Sequence, residues 1–446
     1  MNEQRVRMTV VCLCLGVSIG LSNVQAGNWP HWRGPAFNGA SAEADLPTDW
    51  STTDNIAWKV DLPGCSAATP IIWGDSVFLS NTDEESNALL AVCLDRKTGK
   101  TRWQHAIAQG THRDRKSTYA AASPATDGER VIFIYSTGEV VAFDTAGQRL
   151  WKRNLHEDYG PFAFQWTYAS SPTLYEGRLY IQVLQRDVPV GGRGKPGRAN
   201  DSYILAVDPA TGKTLWRQIR PSKGVAESRE AFTTPIPAEL DGTKQLLVVG
   251  GDCLTGHDLV TGKELWRWGT YNPDRIGHWR LVPSPVAGKD TVLICAPKNE
   301  PVYAIQPNQK SGVLDDSAIA WDSELNRNVV TSDVPAPAFY DGDFFVLNDK
   351  RQHLSRIEPR TGKVKWSERA PGRSKYEASP VVADGKVYVI NHAGEVGIMS
   401  AANGEVLNVI PMDQTRGRDL VRASIAVSQG QLFIRTSRTL YCVGSS

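Results

Sequence analysis

The sequence predicts an all-β chain, an eight-bladed β-propeller of four-stranded antiparallel blades. Two interleaved repeats and the composition carry that prediction. The first repeat is a turn followed by a tryptophan. Asp95, Thr98-Gly99-Lys100 and Trp103 recur as Asp144, Gly147, Trp151; as Asp208, Thr211-Gly212-Lys213, Trp216; as Asp258, Thr261-Gly262-Lys263, Trp266; and as Glu358, Thr361-Gly362-Lys363, Trp366. Weaker copies end at Trp321, after a turn at Asn308 to Gly312, and at Leu407, after Asn403-Gly404. The second repeat is a small or hydroxyl residue before proline: Thr69-Pro70, Ser123-Pro124, Ser171-Pro172, Thr234-Pro235, Ser284-Pro285, Ala336-Pro337 and Ser379-Pro380, with a proline-free eighth copy at Ser424-Ile425. The two run in phase at roughly 50 residues, the length of a four-stranded blade. A chain with 39 Gly, 26 Pro and 14 Trp but only 4 Met is made of short strands and tight turns.

The elements follow in order. Residues 1–26 read as a signal peptide: Arg5 and Arg7 precede an apolar run from Met8 to Leu21, and Val24-Gln25-Ala26 ends on a small residue. That run is shorter than the ~20 residues that span a bilayer, so the mature chain is predicted without a transmembrane segment. Cys12 and Cys14 lie inside the run, where neither is placed for lipid attachment. Residues 27–54 form an N-terminal arm, and residues 55–446 form the propeller. Within a unit, the second for instance, strands are expected from Ala125, at Val131–Ile134, at Val140–Phe143 and at Leu150–Trp151, separated by turns at Asp127-Gly128, Ser136-Thr137-Gly138 and Asp144 to Gly147. Proline at the first residue of a strand removes no ladder bond. The turn aspartate caps backbone N–H groups and the glycine supplies a positive φ. The tryptophan opens the outer strand and covers the junction with the neighbouring blade, which makes it a packing residue. After the eighth marker only three strands remain, at 424–427, 431–435 and 440–443. Asn55 to Val60 has the outer-strand pattern and completes that blade, leaving no open edge.

With 49 basic and 48 acidic residues, the chain lacks the basic field that nucleic acid requires. Removing Glu3, Arg5 and Arg7 with the leader leaves the exported chain formally neutral. The remaining cysteines, 65, 93, 253, 295 and 442, have no metal-type spacing and read mainly as buried small hydrophobes, with one disulfide left open.

These motifs resemble exported proteins with pyrroloquinoline-quinone-type propeller repeats. The resemblance is carried by Ala142-Phe143-Asp144 with Trp151, by Ala206-Val207-Asp208 with Thr211-Gly212-Lys213 and Trp216, and by the opening arm Asn28-Trp29-Pro30-His31-Trp32-Arg33-Gly34-Pro35. It implies an eight-bladed propeller of a family that includes outer membrane assembly factors and quinoprotein alcohol and glucose dehydrogenases. The quinoproteins of that family set two adjacent cysteines against a calcium-bound quinone. This chain has no adjacent cysteine pair.

Strand direction places the connections between blades on one face with those between second and third strands. The aspartate–glycine turns lie on the other. Ligand or partner contacts are expected on the first face, where basic and aromatic groups alternate: Tyr119, Trp166, Tyr168, Arg229, Trp279, Arg280, Lys375, Tyr376 and Arg422. The same face carries a glycine-rich basic insertion from Arg186 to Asp201. Asp83-Glu84-Glu85 is an acidic turn that reads as solvated surface before it reads as a calcium site. No nucleophile, zinc, P-loop or dinucleotide motif is present, so no catalytic residue is assigned. The expected protein is a periplasmic or extracellular monomer, a non-catalytic scaffold that binds envelope or secreted proteins or a small anionic ligand. No metal and no cofactor are expected for it. The alternatives are an oxidoreductase using pyrroloquinoline quinone (PQQ) with calcium on an alcohol or sugar, and a lectin-like or peptidoglycan-associated binder.

Overall fold

Hydroxyl-proline junctions start each inner strand, and turn glycines start each outer one. In the computed structural model, which describes residues 27–197, 199–307, 311–412 and 419–444, these signals build eight four-stranded units. The first comprises Ile71–Trp73, Ser76–Asp83, Ala88–Asp95 and Thr101–Gln109, paired antiparallel in that order. The second comprises Ala125–Thr126, Arg130–Ile134, Glu139–Asp144 and Arg149–Asn154, as the turn residues predicted. The eighth combines Ala426–Ser428, Gln431–Arg435 and Thr439–Val443 with Ile56–Asp61, so the outer strand comes from the start of the propeller. Trp58 lies opposite Cys442 and Lys59 opposite Tyr441. The leader predicted for residues 1–26 lies outside the described residues. Among the described residues no helix is long and apolar enough to cross a membrane.

One unit departs from the expected hairpin. The chain leaving Val302–Ile305 does not turn directly into its outer strand, Ile319–Asp322. It first sends Gly312–Leu314 parallel to Glu264–Trp268 of the preceding blade, which becomes five-stranded. An edge that would present unpaired backbone is thereby covered.

Two inter-blade contacts explain the repeats. On the outside, Trp58, Trp103, Trp151, Trp216, Trp321 and Trp366 each lie on the turn glycine of the next blade, whereas Trp266 packs on Gly256 of its own blade and donates to Gln245. A Cβ built on Gly99, Gly147, Gly212, Gly262 or Gly362 would come within 2.5–2.7 Å of the indoles of Trp58, Trp103, Trp151, Trp216 and Trp321 respectively, so only glycine admits the ring. The Nε1 of Trp58, Trp103, Trp151 and Trp321 donates to the carbonyls of Arg96, Thr145, Pro209 and Pro359 at 2.7–3.1 Å. The expectation of structural tryptophans holds.

On the inside, the marker hydroxyls form a ring around the axis. The amide of Thr69 donates to Ser123 Oγ, Ser123 to Ser171, Ser171 to Thr234, and Thr234 to Ser284. The ring resumes from Ala336 to Ser379, from Ser379 to Ser424, and from Ser424 back to Thr69 Oγ1. These seven bonds span 2.8–3.2 Å. The junction after Ser284 is broken because position 336 is alanine and offers no acceptor.

The arm crosses the opposite end of the channel. Trp29 pairs with Ile72, the Pro30 carbonyl accepts from the Thr126 amide, and His31 contacts the Leu174 carbonyl at 3.0 Å. The buried Arg33 guanidinium donates to the carbonyls of Pro337 and Pro380 on the far side. Burial without a carboxylate partner holds the Arg33 pKa down to about 9, still charged at neutral pH. The five described cysteines are all free and buried, as small core residues are. Asp83 caps Ser86 by its carboxylate, and Glu84 pairs with Arg438 across the closure at 2.8 Å, so the acidic turn is structural.

Ser171→Ala leaves a buried amide without its acceptor and should lower stability by about 1–3 kcal/mol, whereas Ala336→Ser supplies the missing acceptor and should add about 1 kcal/mol. Urea unfolding midpoints read both. Unchanged midpoints would mean that the ring is not part of what holds the blades.

Candidate functional site

The hydroxyl ring is the lowest tier of a cup that opens on the loop face. The cup measures about 980 Å³ out to its open mouth, with Trp32 of the arm among its lining residues. Because successive residues of an extended chain point to opposite sides, the positions two before each marker line the next tier. They are Ala67, Ala121, Ala169, Phe232, Val282 and Val334, followed by Glu377 and Arg422. Lys116, Trp166, Thr167 and Arg280, earlier in their inter-blade loops, also line the cup.

A few carboxylates set the geometry of the mouth. Asp114 accepts from the Lys116 and Ser117 amides with one oxygen, at 2.6 and 2.8 Å, and from the Thr167 amide and hydroxyl with the other, both at 2.6 Å. Burial would raise its pKa, but these donors hold it below the usual carboxylate value. Asp114 thus joins the loops that carry Lys116 and Trp166. Glu227 accepts from Trp166 Nε1 at 3.0 Å and lies 3.8 Å from Arg280 Nε. Glu377 is buried between two cations, Arg422 (Nε at 2.6 Å) and Lys375 (Nζ at 3.1 Å), and the ring of His392 (Nε2 at 3.0 Å). Burial opposes its charge, yet His392, Arg422 and Lys375 outweigh that and hold the carboxyl well below the usual range.

The predicted loop-face residues divide into three groups. Trp166, Arg280 and Arg422 line the cup, and Lys375 stands behind it, paired with Glu377 and with Asp349 at 3.2 Å. Tyr119 lines a second cavity of about 720 Å³ next to the cup, which shares Trp166 and Thr167 with it and includes Gly192 and Arg193 of the basic insertion. Arg229 is tied to the Gly224 carbonyl and Asp187, and Trp279 packs against the core of the fourth and fifth blades, so neither reaches the cup. The remaining two lie deeper. Tyr168 and Tyr376 are 3% and 0% exposed, with hydroxyls donated to the carbonyls of Gln182 and Pro371. Their rings pack in the core, and Tyr168 also borders the second cavity. Sequence reasoning did not single out Trp32, Lys116 or Glu377. Lys116 and Glu377 stood in loops it placed on this face, and counting two residues back from each marker would have found Glu377.

A clamp beside the cup holds the insertion. Glu230 is fully buried, forms an ion pair with Arg186 Nε at the root of the insertion, and accepts from the Gln165 amide at 3.0 Å. Burial pushes its pKa up to about 7 against the opposing pull of Arg186, with Glu227 nearby adding to the rise.

A calcium-bound quinone requires several oxygen ligands converging on the ion. No cluster of three or more His, Cys, Asp or Glu able to hold a metal is found among the described residues. The cup's own carboxylate, Glu377, is already committed to Arg422, Lys375 and His392. Its donors therefore do not fit a calcium centre.

Comparison with known proteins is consistent with this architecture. The family model described as outer membrane protein assembly factor BamB matches residues 40–165, 162–315 and 310–446. No curated protein matches. Among solved structures, quinohemoprotein alcohol dehydrogenase from Comamonas testosteroni is similar with TM-score 0.63 at 14% identity, covering 95% of this chain and 82% of that one. BamB from Moraxella catarrhalis gives 0.55 at 12% identity, with 87% and 99% covered. A computationally designed protein, Ika8, gives 0.55 at 13% identity, with 91% and 99% covered. At these identities the structural likeness shows the fold alone.

A carboxyl whose native pKa near 7 exceeds its ordinary 4.5 takes up a proton on folding between those values. Its stabilising contribution is complete below pH 4.5 and is lost as pH rises through 7. Glu230→Gln cannot titrate. The melting temperature of wild type minus that of Glu230→Gln should therefore fall between about pH 5 and pH 7.5. A constant difference over that window would contradict the assignment.

Proposed function

The chain belongs to the family described as outer membrane protein assembly factor BamB, and on that premise we propose that it is an exported, non-catalytic propeller that holds an envelope or secreted partner on its loop face. The observation that carries this reading is the cup: a concave site at the centre of that face, closed beneath by the arm and lined by Trp166, Lys116, Arg280 and Arg422. Concave sites with a few convergent polar groups and an aromatic wall are where partners gain most of their affinity. The groups around this one are arranged to bind. Its carboxylate is held ionised by cations, and its tryptophan is fixed by Glu227. Export fits the way the arm joins the propeller, since the Gly27 carbonyl already accepts from the Ser428 hydroxyl and Trp29 is fully buried.

Pull-down from envelope extract should recover a partner with wild type that Arg280→Ala and Arg422→Ala fail to retain. Equal recovery by all three would overturn the loop-face reading. Titration with the quinone and calcium should leave the absorption spectrum unchanged and yield no dye-linked alcohol or sugar oxidation. A spectral shift with turnover would make the protein an oxidoreductase instead. Intact mass of the exported protein should place its first residue at Gly27.

A further inference from the structure

We infer that the cup is an anion site, built for an organic carboxylate on a slim body that carries further acceptor oxygens. This rests on the loop-face reading and names the chemistry that the face selects. Three observations carry it. Arg280 is 8% exposed, yet it donates no hydrogen bond among the described residues, and its nearest carboxylate, Glu227, is 3.8 Å away. Its nitrogens are not among the buried atoms left without a partner, so they still face solvent, and an incoming carboxylate can take up these donors. Lys116, also lining the cup, has no carboxylate within 4 Å among the described residues. Its surroundings add Lys375, Arg280 and Arg422 against Glu377, which is already paired. Asp114, Glu227, Glu377 and Asp349 keep the mouth as a whole near neutral, but none of them pairs closely with the Lys116 ammonium or the Arg280 guanidinium.

The third observation is the hydroxyl ring. Each marker oxygen accepts an amide from the neighbouring blade, and none of these hydroxyls donates to protein among the described residues. Thr69, Ser123, Ser171, Thr234, Ser379 and Ser424 line the cup with O–H donors still to place. The polar equipment of the cup is therefore almost entirely donors and cations. Its middle tier, from Ala67 to Val334, is apolar on most of the circumference. A carboxylate among Lys116, Arg280 and Arg422, an apolar stem beside Trp166 and the alanines, and carbonyl or ether oxygens toward the ring satisfy all three tiers. Both a small oxygenated acid and the free carboxyl end of a peptide have that chemistry.

Isothermal titration can use N-acetylphenylalanine, its carboxamide, and a pentapeptide ending in the same free acid. The proteins are wild type, Lys116→Met, Arg280→Met and, as a control on the opposite face, Lys100→Ala. Melting curves verify folding, and Lys116→Met keeps the test decisive if Arg280→Met is unstable. The free acids should bind wild type and Lys100→Ala alike, more weakly as salt is raised, and roughly ten-fold more weakly to the methionine variants. The carboxamide should not bind measurably. A pentapeptide that binds more tightly than the small acid identifies a partner's chain end, and the reverse identifies a free metabolite-sized acid. Carboxamide binding equal to the acid, or wild-type affinity in Lys116→Met, overturns the inference. If no acid binds while partner capture still depends on Arg422, the anion site falls and the loop-face reading survives. If the acids bind while capture ignores Arg280 and Arg422, the reverse holds.

Discussion

An amide at the start of every inner strand faces the channel, where its own blade has no acceptor to offer. Buried N–H groups do not persist unpaired, so the partner has to come from the next blade, and a hydroxyl at the equivalent position is the nearest group that can reach. That requirement fixes the spacing of the blades around the axis. It also fixes the register of the segments that lead into them, because the residues two positions earlier are then set on the channel wall. On the outside, the indole lying on the next turn glycine meets the same demand with a flat ring and one N–H. The two repeats in the sequence are thus the inner and outer halves of a single blade junction.

The arm converts this ring from a pore into a cup. Its hold is made largely of backbone: carbonyls and amides of residues 29–41 pair with the inner strands of several blades, and Arg33 reaches two more carbonyls. A buried guanidinium that ends on carbonyls keeps its charge at some cost, and here Nη1 and Nη2 bridge two adjacent blades by donating to Pro380 and Pro337. The floor of the cup is therefore held from below, while its mouth depends on Asp114, Glu227 and Glu377, which tie separate loops together.

How much of this was legible follows from where the information lies. The blade count, the strands of the second unit and the closure by Ile56–Asp61 were readable because they depend on local turn chemistry and on a period. The loop-face residues were readable only as a set. Between Trp166 and Tyr168 there is one residue, yet the first lines the cup and the second fills the core. No period in an inter-blade loop says which aromatic turns inward. Trp32 sat in a motif that marked the arm without revealing that it crosses the channel. The strand at Gly312–Leu314 was missed because pairing with a preceding blade is a tertiary choice that a local turn reading does not contain.

The chain holds eight copies of its own junction, and comparing them separates what the fold requires from what it leaves open. At the marker position seven of eight carry a hydroxyl, and the exception leaves an amide without its acceptor. Two residues earlier, the copies read alanine three times, valine twice, then phenylalanine, glutamate and arginine once each. All eight side chains line the cup, and the backbone around them is the same. The ring thus accepts apolar side chains at six of these positions and, at the other two, a charged pair, Glu377 with Arg422, that ties neighbouring loops together. The similarity of this skeleton both to a dehydrogenase and to a designed protein has the same cause. The ring is a frame, built from the junction contacts alone and indifferent to the side chains carried on the tiers above it.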